Sequence, residues 1–151
     1  MAGMDSATIW AIAANPAVDE VLSDSDQLQH WDAYRLDALT KRHPLATFAM
    51  WCLRSAGLIQ YFNIPEDRLA AFLAVLETRY SDNPYHNKVH AADVTRSIHV
   101  MLRLGMAQYF TEVQQLALYI AAAAHDAEHG GLSNAFLVAT NVRPPSTMLS
   151  Y

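Results

Sequence analysis

The sequence predicts an all-α protein, and three observations carry that prediction. Apolar residues return at three- and four-residue spacing over most of the chain, as in Leu69, Phe72, Leu73 and Leu76, which is the period of a helical face and not of a pleated strand. Glycine and proline punctuate these stretches, with Pro44 and Pro65 where helices begin and Gly57 and Gly105 where they end. No run alternates apolar and polar residues in a way that supports a strand, and there is no internal repeat or low-complexity tract.

Residues 1–27 read as a poorly defined N-terminal segment, with a short helix after Ser6 and then an acidic, Ser-rich stretch from Asp19 to Asp26 expected to lie in solvent. Residues 28–151 read as one domain or part of one. Leu28, Trp31, Leu36 and Leu39 predict one rough amphipathic helix or two short turns, and Pro44 opens a clearer helix through Leu45, Phe48, Ala49 and Cys52. Pro65 stands at the first position of the next helix, which runs to Tyr80 with its aromatics in the core. After the turn cluster Ser81-Asp82-Asn83-Pro84, a helix is expected from Tyr85 to Leu104. Its polar residues His86, His90, Asp93 and Ser97 would then share one narrow stripe, beside a face of Val94, Ile98, Met101 and Leu102 that packs inward. Thr111 with Gln114 forms a capping box, and the helix it starts passes through Leu116, Leu118, Ile120 and four alanines into His125-Asp126 as a buried core helix. Gly130-Gly131 breaks the pattern, and Ser133 to Thr140 predicts a last helix leading to Arg143-Pro144-Pro145.

Composition excludes several functions. Hydrophobic residues make up 52% of the 151 and charged residues 17%, an apolar balance that anticipates surface covered by more protein. A net charge of −5 offers no basic footprint, so no nucleic-acid partner is expected. The most apolar run, Leu116 to Ala124, is nine residues long against the roughly 20 that span a bilayer, so no membrane span is expected. The lone Cys52 lies in an apolar stretch and suits a buried thiol in a reducing compartment; with no signal peptide evident, the expected location is cytoplasmic.

Four of the seven histidines fall in two short segments, His86 and His90 in one, His125 and His129 in the other, with Asp93, Asp126 and Glu128 among them. Imidazole plus carboxylate is a donor set for a hard or borderline divalent metal. A His and an Asp adjacent at a helix end can both bind metal, and a carboxylate can bridge two ions; Glu128 and His129 follow within a turn, near enough to orient ligands or water. Two ions roughly 3.5–4 Å apart clamp the attacking and leaving oxygens of a phosphoryl displacement. Such a site also needs an acid for the leaving group, a role that one of His86 and His90 could fill while the other binds metal.

These residues carry a family resemblance. Tyr85-His86-Asn87-Lys88-Val89-His90-Ala91-Ala92-Asp93-Val94 resembles the "YHNxxHAxDV" signature of the class I 3′,5′-cyclic nucleotide phosphodiesterases, and His125-Asp126-Ala127-Glu128-His129 through Asn134 resembles their "HDxxHxGxxN" signature. The segment from Trp31 to Tyr80 is similar to the helices preceding them, so that the likeness covers residues 28–140. It implies a multi-helical HD-type phosphodiesterase fold, incomplete at the C-terminus, that hydrolyses cyclic AMP, cyclic GMP or both to nucleoside 5′-monophosphates. It further implies that His86 is the general acid at O3′, and that His90, His125 and Asp126 bind two divalent ions, Zn2+ and Mg2+ (or Mn2+), with Asp126 bridging. Tyr85, Asn87, Asp93, Glu128, His129 and Asn134 become supporting or structural positions. Gly130 stands where the family commonly has Pro, Glu128 where Asp is frequent, and Arg143-Pro144-Pro145 departs from the family pattern. The implied partner is the C-terminal half of the catalytic domain, which supplies the last aspartate ligand and the purine pocket. Two other readings stay open on the residues alone: another HD-type metal phosphohydrolase acting on nucleotides or alarmones, and a non-catalytic helical module that binds a partner through an apolar face.

Overall fold

A computed structural model describes residues 4–27 and 31–140, with Asn134 described by its backbone alone. The described residues form the helices α1 (Ser6–Ala13), α2 (Pro16–Ser23), α3 (Ala33–Leu39), α4 (Pro44–Ser55), α5 (Leu58–Tyr61), α6 (Glu66–Thr78), α7 (Lys88–Arg103), α8 (Glu112–Ala124) and α9 (Asn134–Thr140), with no strand among them. The all-α expectation is borne out. Leu28 and Arg143-Pro144-Pro145 lie outside the described residues.

α4 is the hub, in contact with α1, α3, α5, α6, α7 and α8. From Pro44 to Leu53 only Trp51 is more than marginally accessible, so this helix is apolar on nearly every side, as a central helix must be. Phe48 lies between Trp31 and Trp51, at ring distances of 4.8 and 5.9 Å, and Cys52 is fully buried, which pushes its thiol pKa well up and keeps it inert. α4 has no side-chain cap of its own. Glu77 of α6 replaces one: its Oε1 accepts from the Leu45 and Ala46 amides at 2.9 and 3.2 Å, and its Oε2 meets His43 Nδ1 at 2.7 Å.

Four expectations change. Asp19 to Asp26 is helical and then a 3-10 turn, with Val21, Leu22 and Ser25 buried; Arg96 draws it in by donating to the Ser25 and Gln27 carbonyls at 2.8 and 3.0 Å. Pro65 caps α6 from outside, the helix proper starting at Glu66. α7 begins at Lys88, so His86 precedes the helix and does not share its stripe. Its core face is Ala91, Ala92, Thr95, His99 and Leu102; Val94 and Ile98 are half-buried, and Met101 and Ser97 are exposed. Finally, α8 is buried on one side only: Tyr119, Ala122 and Ala123 face inward, whereas Val113 is 63% exposed. The Thr111–Gln114 capping box is formed as expected.

Candidate metal centre

The site lies where the first turn of α7 meets the C-terminal end of α8, two helices packed against each other. Asn87 builds the α7 side. Its Oδ1 accepts from the Val89 and His90 amides at 2.9 and 3.1 Å, and its Nδ2 donates to Asn83 O at 3.0 Å, a cap that fixes the turn carrying His90. On the other side, His125 ends α8 and Asp126 follows in a turn. The Tyr80 hydroxyl ties down that end, donating to Ala123 O at 2.8 Å and accepting from the Asp126 amide at 3.4 Å. Burial, the first cause, pushes the Tyr80 pKa up to about 12, so it stays a hydroxyl at any ordinary pH.

Three imidazoles converge on one oxygen. His86 Nδ1, His125 Nε2 and His90 Nε2 lie 2.7, 3.1 and 3.5 Å from Asp126 Oδ2. One donor atom each from His86, His90 and Asp126 lie within 4.8 Å of one another. Burial alone would raise the Asp126 pKa; the His86 hydrogen bond and the nearby rings of His125, His86 and His129 outweigh it and hold the carboxyl below its usual range. For His90, burial and then the neighbouring His125 and His86 rings lower the pKa against the pull of Asp126. His90 is therefore neutral at neutral pH, with a lone pair for a cation.

The donor set fits a divalent ion, and His125 supplies the sharpest observation. Its Nδ1 faces the Ala122 carbonyl at 2.9 Å, and a carbonyl only accepts, so Nδ1 carries the hydrogen. In the neutral ring Nε2 is then an acceptor, yet it faces the Asp126 carboxylate oxygen at 3.1 Å. A cation held between the two atoms, or a proton shared by them, satisfies that contact.

The supporting residues divide. Tyr85 spreads its ring 4.5 Å from that of His90 and 5.0 Å from that of His86, while the His129 ring packs against that of His86, tilted by 32° with centroids 3.8 Å apart. Glu128 holds a left-handed backbone, φ 64°. Its amide donates to Arg79 O and its carboxylate pairs with the Arg79 guanidinium, each at 2.8 Å. Asp93 accepts from Trp31 Nε1 at 2.7 Å, a bond to the core outside the cluster around Asp126. Asn134 opens α9, and its side chain lies outside the described residues. Sequence reasoning assigned no role to Asn83, whose Nδ2 reaches Ser81 Oγ, His86 O and His129 O at 3.1, 2.8 and 3.4 Å and so bridges the two signature segments. Its one sequence signal is an asparagine in the turn directly before the first signature.

Imidazoles and a carboxylate gathered where two packed helices meet define an all-α protein with a candidate divalent-metal centre. Residues 85–144 match the family described as 3′5′-cyclic nucleotide phosphodiesterase. The chain is 42% identical over 127 residues to the dual specificity calcium/calmodulin-dependent 3′,5′-cyclic nucleotide phosphodiesterase 1B of Mus musculus, an alignment spanning 82% of this chain and 24% of the relative. It is 36% identical over 125 residues to a probable 3′,5′-cyclic-AMP phosphodiesterase of Caenorhabditis elegans, spanning 81% and 18%. Among solved structures, the phosphodiesterase domain of the RhoPDE fusion protein of the choanoflagellate Salpingoeca rosetta superposes with a TM-score of 0.64 at 30% identity, covering 88% of this chain and 38% of that one. The chain belongs to the class I cyclic nucleotide phosphodiesterases and carries part of their all-α domain. It spans about a quarter or less of the length of these curated relatives. No helix among the described residues is long and apolar enough to cross a membrane.

Proposed function

We propose that this chain forms the metal-binding and proton-donating wall of a phosphodiesterase that hydrolyses 3′,5′-cyclic AMP, cyclic GMP or both to nucleoside 5′-monophosphates in the cytoplasm. The convergence of His86, His90 and His125 on Asp126 Oδ2 carries this reading. His90, His125 and Asp126 would hold the divalent ions, zinc with magnesium or manganese. When bound, the ions polarise the cyclic phosphate and make water a nucleophile at neutral pH. Residues 28–151 are the N-terminal portion of the catalytic domain; a C-terminal portion supplies the last aspartate ligand and the pocket for the base, so the chain alone has little activity.

His86 is the proton donor. With Nδ1 on Asp126, the ring presents Nε2 as its second polar atom, and a proton carried there passes to O3′ as the P–O3′ bond breaks. The packed His129 ring and the bond from Asn83 to the His86 carbonyl hold the ring in place. Asp126 thus does double duty, holding a cation and aiming the acid.

Zinc titration followed by thermal unfolding tests the division of roles. His90→Ala, His125→Ala and Asp126→Ala are expected to weaken zinc binding by at least about tenfold, and His86→Ala by much less. If His86→Ala weakens it as much as His125→Ala, then His86 is a ligand and its role as acid fails. Robust cyclic nucleotide hydrolysis by the 151-residue chain would refute the need for a C-terminal portion.

A further inference from the structure

A half-open cavity of about 810 Å³ lies between α1, the turn after α3, and α6, lined by residues that the proposed phosphodiester chemistry does not use. Its size and apolar walls are those of a small-molecule site. Ile12 comes from α1, Leu39 from α3, and Ala74 and Val75 from α6, and Val75 is 57% exposed there.

α1 explains why the walls are apolar. It has no charged residue between Ser6 and Ala13, so beyond Ile9 and Ala13, which face the core, Ile12, half-buried against that core, and exposed Ala11 keep the cavity side apolar as well. A helix apolar on both sides is normally covered on both. Rotation cannot hide that side. Trp10 donates to Glu66 Oε2 at 2.5 Å beneath the Arg54 guanidinium, and Ser6 bonds Asp67, so α1 is fixed on α6.

Charge supplies the second constraint. The chain carries a net charge of −5, yet no residue lining this cavity is acidic, and Lys41 and His43 both line it. Carboxylates beside lining residues are already engaged: Asp5 accepts from the Thr8 amide, Glu77 caps α4 and meets His43 Nδ1, and Asp37 pairs with Arg42. That leaves His43 Nε2 as the ring's remaining polar atom. Lys41, held at φ 55°, makes no ion pair among the described residues.

We propose that this cavity binds a long-chain carboxylate, its alkyl chain along Ile12, Ala74 and Val75 and its head group at Lys41 and His43. An unbranched tail removes the exposed apolar wall from water, and one anionic head suits two basic side chains with no acid in the lining.

Laurate, kept below the concentration at which it forms micelles, is titrated into the 151-residue chain by calorimetry, with dodecylamine as the control of opposite charge. The expected result is saturable single-site binding of laurate, at least about tenfold tighter than that of the amine. Ala74→Trp and Ala11→Trp fill the cavity from opposite walls and are each expected to abolish binding while far-UV dichroism stays unchanged. Lys41→Glu, on the exposed turn, is expected to erase the preference for the carboxylate. No saturable binding, equal affinity for the two head groups, or binding indifferent to both tryptophan variants overturns the proposal. So does binding confined to lipid vesicles or to an amphipathic peptide. Should both tryptophan variants unfold, the head-group preference of Lys41→Glu still decides it.

Discussion

Replacing Tyr80 by phenylalanine removes one oxygen from a buried side chain and tests whether the fold and the candidate metal centre share a fastening. The hydroxyl donates to Ala123 O at 2.8 Å. Ala123 lies at the end of α8, and the amide four residues on, that of Ala127, bonds Ala124 O instead. Among the described residues no second donor reaches the carbonyl. Losing such a bond costs about 1 kcal/mol net, and about 2 if the acceptor stays dry and unpaired. The contact with the Asp126 amide, at 3.4 Å, adds little. For a domain of this size, roughly 2–4 °C of melting temperature per kcal/mol converts this into a fall of about 2–8 °C. Because the same hydroxyl holds the turn that presents Asp126, zinc affinity should fall as well, by about tenfold, the scale on which supporting contacts act. Thermal unfolding without metal and zinc titration on the same sample measure the two effects separately. A lower melting temperature with unchanged zinc affinity would refute the claim that Tyr80 positions Asp126. If neither quantity moved, the bond itself would be refuted.

Two further perturbations probe the scaffold. Glu77→Ala leaves the buried amides of Leu45 and Ala46 without their acceptor and is expected to cost about 2–4 kcal/mol, more than Tyr80→Phe, with Glu77→Gln intermediate; urea unfolding ranks the three. Acid should destabilise the chain through His99. Burial, the first cause, holds this imidazole below its ordinary pKa of 6.5 despite Asp26 nearby, and Arg103 and Arg96 push the same way. The unfolded chain therefore takes up a proton that the fold resists, so stability is full above about pH 6.5 and is lost as pH falls below it. His99→Gln should flatten part of that decline in melting temperature between about pH 7.5 and 5.5, and an unchanged slope would rule out His99 as its source.

What could be read from the sequence was local. Pro44 and Gly57 bracket α4, and Thr111 with Gln114 starts α8, because those residues act on backbone within a turn of themselves. His90 on the first turn of α7 and His125 at the end of α8 could be placed for the same reason. The start of α7 was misplaced through Asn87, which continues the helical spacing yet spends its side chain capping the next turn. Periodicity records which face a residue would occupy in a helix; it does not register that a side-chain oxygen competes for the first free amides. α2 was missed because its acidic residues read as solvent-exposed, while Arg96, more than 70 positions away, draws the following turn inward.

The site shows the same limit at closer range. Two signatures that lie about 40 residues apart become one cluster because the loop bearing Asp126 is held from the other side of the molecule. Arg79 fixes Glu128 in a left-handed conformation, Tyr80 fixes the end of α8, and Asn83 spans from the His86 carbonyl to that of His129. All three fall in one short stretch, the end of α6 and the turn after it, which looks in the sequence like mere punctuation. Asp93 makes the converse point: it stands in a signature as a supporting or structural position, and its carboxylate accepts from Trp31 and so ties that ring to α7. A signature residue can thus serve the frame while an unremarkable turn positions the chemistry, because three imidazoles can converge on one carboxylate oxygen only if the loop carrying it cannot relax away.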